Sequence, residues 1–396
     1  MKAPLALLAA TAAVASAGGA PAAGQPRFST IYNFTDGFPL AISRIGGVIY
    51  GAFQKRVNSF YTCGLVFSLE PSSGVASGEQ WKETVLYHFP DSGDACEPTT
   101  APIPGPGGAL YGLASALYEL QPPAEPGGTW TESVDYSLSA PVSSLVYGPA
   151  GSFYALNVDG GIYFDGDLLQ LTPPAAPGGS WMGTDLFDFP GGHSALALNS
   201  LVAGPDGLLY GTSTFGSSIG GYGTAFQLSP PASGAGWNLK ILHNFGAYAG
   251  RGAGDPIALT PASDGTLYGI TYGPNQFGGL GQSVVFQLTP PASGDGDWTY
   301  TVLFLVHDAT LDSPLVLRGG NLYGTYFTPS GGVVFELQPP AASGGAWTVK
   351  YLHEFTDGQN PFGPLVMDEN GVVYGTTGAT LDNNVQIGTA YRLETQ

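Results

Sequence analysis

Asp206-Gly-Leu-Leu-Tyr-Gly-Thr212 is followed by Gly220-Gly-Tyr-Gly-Thr-Ala-Phe-Gln-Leu-Ser-Pro-Pro231 and then by Trp237-Asn-Leu-Lys-Ile-Leu-His-Asn-Phe245. Three short apolar segments are visible here, separated by turn residues. Asp-Gly opens the first as a hairpin dipeptide, because the turn needs positive φ. Pro-Pro closes the second, since proline cannot donate to a sheet ladder. None of the segments has helical periodicity, so a helical solenoid is excluded.

The same pattern recurs along the chain. A Tyr ends the first segment at Tyr50, Tyr111, Tyr154, Tyr210, Tyr268, Tyr323 and Tyr374. Three residues before each stands Gly47, Gly108, Gly151, Gly207, Gly265, Gly320 or Gly371. All six tryptophans (Trp81, Trp130, Trp181, Trp237, Trp298, Trp347) open the last segment of a unit. Each unit therefore holds four strand-sized segments: a before the Gly turn, b ending at Tyr, c before the prolines, d from Trp. Four antiparallel strands at a period near fifty residues are the signature of a β-propeller blade.

Seven a–b–c sets precede the chain end, but only six Trp-led d strands follow them. Phe28-Ser-Thr-Ile-Tyr-Asn-Phe34-Thr-Asp-Gly aligns with Lys350-Tyr-Leu-His-Glu-Phe355-Thr-Asp-Gly358. The expected fold is thus all-β: a seven-bladed propeller with four antiparallel strands per blade, in which the N-terminal strand closes the last blade. Closure removes two open sheet edges.

The chain resembles the bacterial GloVer tandem-repeat family, also met as choice-of-anchor proteins. The resemblance rests on the units quoted above and covers about residues 28–396. Kelch propellers are similar in strand order, but a regular Gly-Gly doublet after strand b is missing here. Copies two and three, around Tyr111 and Tyr154, depart furthest. The family resemblance implies export and supplies no agreed activity.

Lys2, the apolar run Leu5–Ala17 and Ala15-Ser-Ala17 read as a signal peptide. We take residues 1–24 as removed and 25–396 as one propeller, secreted or periplasmic. The apolar run is too short for a membrane span. Cys63 and Cys96 are the only cysteines, and in an exported chain they suggest one disulfide. The formal charge is −19, with 11 basic and 30 acidic residues, so nucleic acid is a poor partner.

In an up-and-down blade the b–c and d–a connections share one face. The a–b turns, expected to be two residues long, and the monotonous c–d loops share the other. Variable loops on a rigid scaffold are where binding lives. Candidates on that face are the acids Asp94, Asp159, Asp165, Asp255, Asp308, Asp312 and Asp357, with His193, Arg251, Tyr222 and Tyr272. Aromatic platforms beside carboxylates suit a glycan. A non-catalytic module binding an extracellular glycan or protein, acting as a monomer, is the expected function. A polysaccharide hydrolase or lyase using those carboxylates, or a purely structural repeat protein, are the alternatives. His88, His243 and His353 occupy neighbouring positions of strand d in three blades, so they read as blade packing. Gly216-Ser-Ser-Ile-Gly220 matches a nucleophile motif but sits in an inter-strand loop rather than a strand–turn–helix. Asp165-Gly-Asp167 and Asp295-Gly-Asp297 lack the calcium-loop pattern. No cofactor is expected, calcium being the one metal such pairs would suit.

Overall fold

The computed structural model describes residues 25–395, apart from 73–80, 91–97, 139–141, 162–165, 176–178, 190–197, 215–221, 232–235, 247–253, 273–281, 293–295 and scattered gaps of one or two residues; the side chains of 54–62 and 379–387 are also outside it. It contains seven four-stranded antiparallel sheets. In six of them the strands follow in chain order a-b-c-d. In the seventh, Arg27–Asn33 pairs with Val385–Glu394, which pairs with Val372–Asp382 and then Asn360–Met367. The chain start therefore closes the ring, with Phe28 opposite Leu393.

Blade 4 shows how the repeat folds. Its strands are Leu198–Ala203, Leu209–Ser213, Thr224–Ser229 and Asn238–Asn244. The seven repeat glycines all have φ between 77 and 92°, a region that side chains with a Cβ rarely enter. The a–b turns are two residues long only in blades 1 and 6. In blade 4 the connection between strands is longer, with Gly204 N–H bonded to Leu208 O and Gly207 N–H to Gly204 O. The expectation of two-residue turns throughout fails because Pro205-Asp206 adds a turn of its own before the glycine.

The glycine after each strand-b Tyr has a different cause. A Cβ on Gly51, Gly112, Gly211, Gly269, Gly324 or Gly375 would overlap the ring of Phe67, Tyr118, Phe226, Phe286, Phe335 or Tyr391 respectively. Each ring comes from the paired residue of strand c and lies flat across strand b. In blade 3 both partners change together: Ala155 replaces the glycine and Leu169 replaces the ring.

Seven apolar clusters form the core, one between each pair of adjacent blades. The repeated Tyr and Trp join neighbouring blades. Trp81, Trp181, Trp237, Trp298 and Trp347 meet Tyr374, Tyr111, Tyr154, Tyr210 and Tyr268 of the preceding blade, edge to face, at centroid distances of 5.7, 5.6, 5.6, 6.2 and 5.9 Å. Both residues recur because one without the other leaves a gap in the ring. In the closing blade Phe28 does the packing, stacked on His353.

Strand d carries a bulge in every blade. One residue is passed over in the c–d register: Ile31, Leu86, Asp135, Leu186, Leu242, Leu303 or Leu352. Six of these seven are aliphatic, and the seventh is an aspartate.

Candidate functional site

The b–c and d–a loops gather on one face, and backbone hydrogen bonds tie them together. Tyr222 lies in the b–c loop of blade 4, Asp255 just before strand a of blade 5 (Pro256–Pro261), and Tyr272 just after strand b (Leu267–Thr271). Asp255 N–H donates to Tyr222 O at 2.7 Å, and Tyr272 N–H donates to Asp255 O at 2.9 Å. Three candidates from separate stretches of sequence thus meet at one residue. Asp255 adopts φ 57° to make this junction, a conformation Asp tolerates better than most side chains. Burial raises its carboxyl pKa. Tyr222 and Tyr272 are 42 % and 39 % exposed.

Asp308 and Asp312 belong to the next d–a loop. Asp308 is exposed and also left-handed, with φ 51°. The loop is fastened to strand b of blade 6 by the Thr310–Phe327 bridge. Asp312 is engaged locally, accepting from Ser313 Oγ at 2.9 Å. Burial raises its pKa to about 6, and its charge helps raise that of the fully buried Tyr391 phenol. Asp94, Asp159, Asp165, His193, Arg251 and Asp357 lie outside the described residues.

Cys63 is buried in the cluster between blades 1 and 2. Its expected partner Cys96 lies outside the described residues, and so does the bridge. Two of the three repeat histidines are packing groups, His243 stacking on Tyr300 at 4.5 Å and His353 on Phe28 at 3.6 Å, whereas His88 is exposed, so the packing expectation fails there. Burial lowers the pKa of His243.

A second constellation falls outside the sequence-derived candidates. Blade 3 places Asn157 (end of strand b, Phe153–Asn157), Asp167 (start of strand c, Asp167–Thr172) and Asp188 (end of strand d, Met182–Asp188) in one register row. Asp185 pairs with Leu169 in the row beside it on the same face. With Tyr136 of blade 2 and Gly161 they line a cavity of about 310 Å³. Burial, and then the charges of Asp185 and Asp188, raise the Asp167 pKa to about 6. The signal in the sequence was the loss of the strand-c aromatic at Leu169. In the other six blades that ring is fully buried on the corresponding face.

The fold and this face define a class: a seven-bladed propeller whose b–c and d–a connections share one end. The chain belongs to the Gloeobacter/Verrucomicrobia repeat family, which matches residues 199–396. No curated protein matches the sequence. Among solved structures, polysaccharide lyase Uly1 is similar in fold, with 10 % identity, a TM-score of 0.56, and coverage of 96 % of this chain and 94 % of that one. The extracellular domain of BT4673 from B. thetaiotaomicron has 11 % identity and a TM-score of 0.53, over 91 % of this chain and 40 % of that one. A puromycin-hydrolyzing peptidase of Mycobacterium tuberculosis has 12 % identity and a TM-score of 0.51, over 91 % and 51 %. At such identities the likeness is one of fold. No helix among the described residues is long and apolar enough to cross a membrane.

Proposed function

We propose that this chain is an extracytoplasmic binding module that takes a glycan on its b–c/d–a face, at the junction of blades 4 and 5. The carrying observation is the Tyr222–Asp255–Tyr272 junction. The backbone that carries two exposed phenol rings is fixed by main-chain bonds to one residue, so little backbone ordering is needed on binding. Sugar C–H faces stack on such rings, and the Asp255 carboxylate accepts from hydroxyls. The remaining candidates, Asp94, Asp159, Asp165, His193, Arg251, Asp308, Asp312 and Asp357, would extend the face. The reading includes export, with residues 1–24 removed, 25–396 acting as one monomeric propeller, and a Cys63–Cys96 bridge.

A glycan-array screen followed by titration of the hits tests the binding. Tyr222→Ala and Tyr272→Ala are each expected to weaken a hit about tenfold, a loss of about 1.4 kcal/mol. Unchanged affinity in both variants would remove this junction from the site. Product analysis on the hits separates binding from catalysis. Appearance of a new reducing or unsaturated end, abolished by Asp255→Asn or Asp312→Asn, would replace the binding reading with a hydrolase or lyase.

A further inference from the structure

The blade 2–blade 3 interface departs from the other six in one connected way. Wherever Gly stands on strand b, an aromatic ring from strand c covers it. In blade 3 the smaller Leu169 stands there, and the about 310 Å³ cavity lies against it. The residues around that space are polar. Asn157 is 4 % exposed and Asp167 2 % exposed. Asn157 Nδ2 donates to Asp167 Oδ2 at 3.2 Å. That bond leaves Asn157 Oδ1 and Asp167 Oδ1 buried without a hydrogen-bond partner. An unpaired buried acceptor costs about 1–3 kcal/mol, more when it is charged. Asp185, exposed to solvent, stands on the same face of the blade, and Asp188 completes the row.

The chemistry of the missing group follows. Every unsatisfied atom here is an acceptor, and three of the lining groups are carboxylates, so these walls favour a ligand that donates hydrogen bonds and carries positive charge. A bare metal ion fits poorly. Calcium needs about 6–8 oxygens at roughly 2.3–2.6 Å, and among the described residues no three acidic, His or Cys groups converge closely enough to hold an ion. The space equals about ten waters at roughly 30 Å³ each, so the charge should sit on an organic body. The Tyr136 ring on the wall suits a cation or the C–H groups beside it. We infer that this cavity is a binding site for a small protonated primary amine, its ammonium received by Asn157 Oδ1 and Asp167 Oδ1 and its body lying against Leu169 and Tyr136. The site is at a different interface from the Tyr222–Asp255–Tyr272 junction, and the inference does not depend on the glycan reading.

Isothermal titration of the full mature chain at pH 7 tests it, with D-glucosamine and cadaverine as probes. N-acetyl-D-glucosamine serves as the uncharged control and calcium chloride as the metal control. At least one amine is expected to bind at one site per chain, and at least tenfold more tightly than the N-acetyl sugar. Preference for glucosamine over cadaverine, or the reverse, assigns the body as sugar or aliphatic. Asp167→Asn is expected to weaken the amine at least tenfold. Leu169→Phe combined with Ala155→Gly restores the glycine–ring pair of the other blades, fills the space and is expected to abolish binding with the melting temperature kept. Should that variant fail to fold, Asp167→Asn alone decides. The inference is overturned if neither amine binds, if the N-acetyl sugar binds equally well, if both variants bind like the parent, or if calcium binds there and the amines do not.

Discussion

At the scale of single residues, the informative positions are those that break the repeat. Asp135 occupies the bulge position that Leu or Ile holds in the other six blades. Its Oδ2 is buried without a partner, while Oδ1 accepts from Ser133 Oγ at 3.1 Å. Burial raises its pKa well above the usual carboxylate range, and the Glu119 and Glu132 charges add to this. A raised carboxyl pKa means that the folded state holds the proton more tightly than the unfolded chain. The resulting stability is complete below the ordinary aspartate value near about 4 and is lost as pH rises toward neutrality. Asp167 and Asp312 act in the same direction with pKa values of about 6. Asp135→Leu is therefore expected to stabilise the protein by about 1–3 kcal/mol at pH 8, from burial of a Leu side chain. The gain should shrink toward pH 4. Melting curves of parent and variant across that range check this, and an advantage independent of pH would contradict it.

At the scale of the strand, two neighbours set each other's identity. The glycine after Tyr and the aromatic of strand c form one unit, because the ring occupies the volume a Cβ would need. Blade 3 shows the alternative pair, Ala155 with Leu169. Gly211→Ala in blade 4 should therefore cost about 1–3 kcal/mol through overpacking against Phe226. Adding Phe226→Leu should recover part of that loss, although Phe226→Leu alone leaves a void and is itself destabilising. A double-mutant cycle measured by chemical denaturation reads the coupling. Additive effects would show that the pairing in blade 3 is coincidence. The tryptophans obey the same logic across blades, each being half of a contact whose other half lies on the preceding sheet.

At the scale of the whole molecule, closure is the governing event. Arg27–Asn33 supplies the outer strand of a blade whose other three strands lie at the far end of the chain. This contact has the longest sequence separation in the protein, and it fastens the ring only once all seven blades are in place. The export reading concerns the same scale. Intact-mass measurement of the chain recovered from the periplasm or medium should show loss of the leader. Two thiols should appear on reduction and none before it. Free thiols on the unreduced chain would contradict the Cys63–Cys96 bridge.

The seven blades, their strand order and the closing strand were all legible in the amino-acid order. A local turn residue such as Gly207, a local stop such as Pro230-Pro231 and a ring at a fixed offset such as Tyr210 act within a few residues of their own position, and they repeat. The candidate site was legible only as a face. Tyr222, Asp255 and Tyr272 come from three separate stretches of the chain, and they meet through one main-chain bond within blade 5 and one between blades 4 and 5. The cavity of blade 3 was less visible still. Leu169 could be seen as a departure from the repeat. That its smaller side chain sits beside Asn157, Asp167, Asp185 and Asp188 on one face depends on strand register and on the position of Tyr136 in the neighbouring blade. Periodic order fixes which residues form strands; the packing of one sheet against the next decides which side chains share a space.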